Sequence, residues 1–273
     1  MIKIGLKPRG IWIAGNWKMN FGPKETQDFF SDLRTAIQLH WDLKDSEFLH
    51  QGQLRACLIP PVICLQQALL EAQNLPFPLE IIAQNAHWET QGAFTGEISG
   101  PMLKEIGIPG VLIGHSERRQ FFGETNASAR LRVESLLKQG FHVILCIGET
   151  RIERDHGKTQ EILSQQIQEI LSEIKFSQGR FILAYEPIWA IGTGLTATPT
   201  QTNEAHQQIR KALEDLRQPQ ATNTPILYGG SVTPQNAKAL LSCSEVDGLL
   251  FGGASLKAES FLAVLKSALQ LKS

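Results

Sequence analysis

Excess charge of either sign is the first thing this sequence lacks. The formal net charge is -1 at pH 7 and the basic residues are scattered. That excludes the concentrated positive footprint of a nucleic-acid or membrane-surface binder. Cysteine is sparse too: Cys57, Cys64, Cys146 and Cys243 sit in or beside apolar runs, with no CxxC pair. They read as buried reduced thiols, which suits a reducing, cytoplasmic setting. No apolar run approaches transmembrane length, and residues 11–14 are far too short for a signal-peptide core. There is no HExxH, no carboxylate cluster and no Cys/His spacing of a metal site, so no metal or cofactor is expected. Linkers and low-complexity stretches are missing as well.

What is present is ordinary globular composition, 42% hydrophobic and 19% charged. Strand-length apolar runs recur at 11–14, 56–59, 79–83, 111–113, 143–147, 181–185, 226–228 and 248–251. Most do not alternate, as expected of strands buried on both faces in a parallel sheet covered by helices. Helical periodicity lies between them: Ala205, Ile209, Ala212, Leu213 and Leu216 share a face, as do Leu163, Ile167, Ile170, Leu171 and Ile174. The last helix shows Phe261, Leu262, Leu265, Ala268 and Leu269, and Gly140 stands where a glycine ends a helix. Eight strands alternating with helices predict an α/β fold, a closed (β/α)8 barrel with eight parallel strands ringed by helices. A single domain over 1–273 is expected, since such barrels run to about 250 residues. Residues 39–53 are the least regular and read as an insertion away from the chemistry.

Polar residues gather where the strands end: Asn16 and Lys18, Asn85, His115, Glu186, Ser231 and Gly252-Gly253. In such barrels that rim carries the active site, and the loops after the last two strands often bind phosphate. The run 181–185 ends on Glu186, and Pro187 holds Glu186 extended. An apolar segment then runs to Gly192-Thr193-Gly194, like a flap with a small-residue hinge. A base at a strand end beneath a closing flap suits proton removal where water is excluded. His115 precedes Ser116-Glu117-Arg118-Arg119, a short helical turn whose N–H groups would disfavour an imidazolium. Gly-Gly turns at Gly229-Gly230 and Gly252-Gly253 offer converging N–H groups to an anion. Each feature alone has a plainer reading: a paired carboxylate, a structural histidine, a tight turn. Gly192 to Ala197 also matches G-x-G-x-x-A, but six residues separate it from the strand and Pro199 delays the helix, so a dinucleotide site is rejected.

Together, Asn16-Trp17-Lys18-Met19-Asn20, Gly114 to Arg119, Ala184 to Ala197, Tyr228 to Val232 and Gly252 to Leu256 resemble the triosephosphate isomerase family, in its order and across essentially the whole chain. That family is itself the standard worked case of a glutamate base and a neutral histidine electrophile under a closing loop. The resemblance implies an isomerase interconverting dihydroxyacetone phosphate and D-glyceraldehyde 3-phosphate through an enediolate, in glycolysis and gluconeogenesis. It implies Glu186, His115 and Lys18 as catalytic residues, and substrate contacts from Asn16, Lys18, Gly192, Ser231, Gly252 and Gly253. Glu117 would order Lys18, with an ion pair to Arg118 or Arg119 as the alternative. Residues 91–97 resemble the family's interdigitating loop, which implies a homodimer with Thr95 reaching the neighbour's site. Two departures stand out: Leu195 where the family usually has lysine, and Thr200 where an acidic residue or glutamine is common. Two other readings stay open: a phosphate-binding barrel aldolase using Lys18 as a Schiff base, and a non-enzymatic scaffold. The presence of Lys18, His115 and Glu186 argues against the second.

Overall fold

The computed structural model describes residues 9–175, 179–190, 196–217 and 221–271. Eight strands follow in order: β1 (Ile11–Asn16), β2 (Leu54–Ile59), β3 (Leu79–Ile81), β4 (Gly110–Ile113), β5 (His142–Ile147), β6 (Phe181–Tyr185), β7 (Ile226–Tyr228) and β8 (Gly248–Phe251). The helices between them are α1 (Pro23–His40), α2 (Ser46–His50), α3 (Leu65–Ala72), α4 (Gly100–Glu105), α5 (Ser116–Phe121) and α6 (Asn126–Lys138). They continue as α7 (Arg151–Asp155), α8 (Thr159–Leu171), α9 (Pro199–Asp215), α10 (Ala237–Leu241) and α11 (Ala258–Leu269).

The strands run parallel in the order β3-β2-β1-β8-β7-β6-β5-β4. The seam between β3 and β4 is joined by a single bridge, Ala83 to Val111. Expectation and structure differ here by two residues. Ile82 N–H still bonds Leu58 O on β2, but Ala83 N–H turns to Gly110 O on β4, so the ladder ends at Ile81. The result is the expected (β/α)8 barrel.

Non-alternating strands serve two cores at once. Trp12, Ala14, Cys57, Ile59, Ile144, Cys146, Ile182 and Ala184 point one way and form a cluster drawn from the strands. Their neighbours Ile11, Ile13, Ala56, Leu58, Val143, Leu145 and Leu183 join the larger core beneath the helices. Both sets are apolar because neither face of the sheet meets water. Gly140 has φ +84° just past α6, the left-handed geometry that ends a helix. Thr198 caps α9 by accepting from Gln201 N–H, so this helix starts well clear of β6.

The segment 39–53 is more regular than its sequence suggests. Asp42 accepts from Lys44 N–H and opens a 3-10 turn, and α2 follows directly. Trp41 packs on Phe77 at 4.8 Å and donates its indole N–H to Ser46 Oγ. The segment joins the end of α1 to the start of β2, which puts it at the N-terminal mouth of the barrel, opposite the polar rim.

Candidate active site

Every strand-end residue singled out above lies at the C-terminal mouth. Asn16 is the last residue of β1, and its Oδ1 accepts from Lys18 N–H at 2.9 Å. Lys18 has φ +54°, a left-handed conformation that costs a non-glycine residue about 1–3 kcal/mol. Gln84 holds it there: its Nε2 donates to Lys18 O at 2.7 Å and to Ile59 O at 3.0 Å. Lys18 Nζ meets Glu117 Oε1 at 2.6 Å. Glu117 therefore serves Lys18, while Arg118 pairs with Glu124 and Arg119 bonds Gly114 O and Asn126.

His115 caps α5, its Nδ1 accepting from Glu117 N–H at 3.3 Å. That makes Nε2 the protonated nitrogen of the neutral ring. Nε2 lies 3.0 Å from Glu186 Oε1. The other oxygen, Oε2, accepts Ser116 N–H at 2.8 Å, so both oxygens of this 2%-exposed carboxylate are held. Burial pushes the Glu186 pKa up, but His115, through charge and hydrogen bond, then Ser116 N–H and Lys18, bring it below its ordinary 4.5. Burial lowers the His115 pKa, yet the charge and hydrogen bond of Glu186 and the charge of Glu117 outweigh burial and Lys18, leaving it raised.

Asn16, Lys18, His115, Glu186, Ser231, Gly252 and Gly253 line one cleft of about 600 Å³. Lys257 and Ser260 extend its wall, which the sequence reading did not anticipate. At Gly229, also in the wall, a Cβ would come within 2.9 Å of Glu186 Cγ. The carbonyls of Ser231 and Gly252 are taken by Asn236 Nδ2 and Ser255 N–H. Gly192 and Leu195 lie outside the described residues.

Beyond Lys257 and Ser260, sequence reasoning missed three residues that support the site. Cys146 is more than a packed thiol: burial first, and then the charge of the Glu186 carboxylate, push its pKa well up. Gln84 was overlooked. So was Glu149, 0% exposed, whose Oε1 accepts from Tyr185 OH at 3.0 Å, Trp189 Nε1 at 3.1 Å and Arg154 Nη1 at 3.1 Å. Trp189 stands at the start of the flap, with the Arg154 guanidinium 4.5 Å from its ring centre. A signal for Glu149 existed: β5 is an apolar run followed closely by a carboxylate, the pattern that singled out Glu186. The other thiols agree in part with expectation, since Cys57 and Cys64 are buried and Cys243 is half-buried.

Fold and site together define an enzyme of the (β/α)8-barrel class with its polar constellation on the C-terminal rim. The family model for triosephosphate isomerase matches residues 11–268. Triosephosphate isomerase of Chlorobium chlorochromatii is 42% identical over 259 residues, covering 94% of this chain and 97% of that protein. The Chlamydia muridarum triosephosphate isomerase is 44% identical over 256 residues, covering 93% and 90%. That of Nostoc sp. is 41% identical over 258 residues, covering 94% and 98%. The chain belongs to the triosephosphate isomerase family.

Proposed function

We propose that this chain interconverts dihydroxyacetone phosphate and D-glyceraldehyde 3-phosphate, with Glu186 as base and His115 as electrophile. Family membership carries the reaction. The observation that supports the residue roles is the Glu186–His115 pair at 3.0 Å, facing a cleft whose far wall is Ser231 and Gly252-Gly253. Glu186 removes the proton from the carbon next to the carbonyl and returns it to the neighbouring carbon. His115 Nε2–H, the Lys18 ammonium and the Asn16 amide stabilise the enediolate oxygens, where charge develops. Backbone N–H groups of Ser231, Gly252, Gly253 and Gly192 cradle the phosphate, and the flap keeps out water that would favour phosphate elimination. A coupled assay with glyceraldehyde 3-phosphate tests the reaction. Borohydride trapping with substrate tests the aldolase alternative, since only an imine is trapped.

Glu186 and His115 cannot act on substrate while bonded to each other, so binding has to part them. Parting removes the largest contribution that raises the His115 pKa and leaves burial and Lys18, which lower it. Nitrogen NMR of the labelled imidazole should then show His115 titrating above about 6.5 in the free protein. Saturation with glycerol 3-phosphate should make it neutral at pH 7. An imidazolium persisting in the complex at pH 7 would sink the electrophile role.

The protein is a homodimer in this reading. Residues 91–97 are all exposed, Phe94 at 43%, and Met19, beside Lys18, is 96% exposed. Exposed apolar side chains flanking an active site call for a partner surface. Thr95 would reach the neighbour's Asn16 and Lys18. Light scattering at micromolar concentration should give twice the chain mass; a fully active monomer sinks the idea. One domain spanning 1–273 is supported by strands that all share one sheet. A cytoplasmic location fits the buried free thiols of Cys57, Cys64 and Cys146, and among the described residues no helix is long and apolar enough to cross a membrane.

A further inference from the structure

We infer that Gln166, on the outer helix α8, is a positioning residue for Glu186 and for the anchor of the flap, an assignment that rests on Glu186 being the base. Gly148 directly follows β5, so its backbone groups have left the sheet ladder and need other partners. Gln166 takes both. Its Oε1 accepts Gly148 N–H at 2.9 Å, and its Nε2 donates to Gly148 O at 3.0 Å. The peptide plane that carries Gly148 N–H also carries the carbonyl of Ile147. That carbonyl accepts Glu186 N–H at 2.7 Å. The second plane leads into Glu149, whose carbonyl accepts Ile188 N–H at 3.2 Å and whose carboxylate holds Tyr185 and Trp189.

The backbones are packed as tightly as they can be at this point. A Cβ on Gly148 would fall 1.7 Å from the Glu186 carbonyl oxygen. A small slide of Gly148 is therefore passed directly to Glu186. Gln166 is well suited to prevent that slide. Leu163, Ile167, Ile170 and Leu171 bury α8, so the amide is carried by a rigid element. With two bonds from one planar amide, both the position and the rotation of the Gly148 backbone are set. A residue that merely satisfied stray backbone groups would support stability alone. One that sets the seat of the base supports turnover.

Gln166→Met keeps the length and removes both the donor and the acceptor. Misplacing a reacting group by 1 Å costs on the order of 10²-fold, and half of that about tenfold. In the full-length folded protein we expect kcat to fall about tenfold while KM for glyceraldehyde 3-phosphate stays within about threefold. A kcat within about twofold of wild type, or a change confined to KM, overturns the assignment. Should this variant fail to fold, Gln166→Glu keeps an acceptor for Gly148 N–H and gives up the donor. Its kcat should fall about threefold at unchanged KM, and a wild-type kcat again overturns the role. Glu186→Gln, measured alongside, separates the two ideas: if it stays active, the base is misassigned; if it is inactive while the Gln166 variants match wild type, positioning alone fails.

Discussion

Glu186→Gln lowers kcat by about 10²–10⁴, the usual worth of a positioned acid–base group. The amide has the shape of the carboxylate but cannot accept the substrate proton. It is also mismatched at rest. Ser116 N–H and His115 Nε2–H both donate to Glu186, and an amide has only one acceptor atom to offer them. The variant therefore loses stability as well, by about 1–3 kcal/mol for a buried group left facing a donor. The two effects separate with pH. Because the folded-state pKa of Glu186 lies below its ordinary 4.5, ionisation of this group stabilises the fold above that value. That contribution is lost as pH falls through the depressed pKa. The difference in urea midpoint between wild type and variant should thus be full at pH 7 and shrink below about pH 4.5. Steady-state kinetics at pH 7 give the activity arm, where an unchanged kcat would falsify the assignment of the base.

Gly148→Ala is the second large effect, and nothing in the catalytic motifs points to it. Its backbone φ is not in the left-handed region, so conformational freedom is not the issue. Space is: the new Cβ would stand 1.7 Å from Glu186 O and 2.7 Å from Glu186 C, backbone atoms that no rotamer change can move. The β5 and β6 ends must separate by more than an ångström, and Glu186 moves with its backbone. We expect kcat to drop by about 10²-fold, the cost of a 1 Å misplacement. Overpacking of this kind costs about 1–3 kcal/mol of stability. Measuring kcat together with the urea midpoint checks both. A variant with wild-type midpoint and kcat would show that the two backbones do not press on each other.

Glu117 illustrates how far local reading goes. Two arginines follow it in sequence, yet it pairs with Lys18, 99 residues away, while Arg118 and Arg119 find partners elsewhere. Cys146 reads as one more apolar position on β5, and only the approach of the β6 end makes it a neighbour of Glu186. Residues 39–53 look irregular because their order comes from Trp41 against Phe77, a contact that periodicity within the segment cannot reveal.

The sequence by itself determined the eight strands to within a few residues, the helical segments at 131–139, 163–174, 205–216 and 261–269, and the rim residues Asn16, Lys18, His115, Glu186, Ser231 and Gly252-Gly253. Those are local properties: burial on both faces makes a strand apolar throughout, and a strand end places the next polar residue at the barrel mouth. Tertiary structure alone decided which side chains meet there. Glu149 under Trp189, Gln84 under Lys18 and Gln166 on Gly148 are separated by 40, 66 and 18 residues. Their contacts depend on the stagger and closure of the whole barrel, which bring the ends of different strands and helices to one place. No run of neighbouring residues encodes that, because the forces that set it act across the sheet and not along the chain.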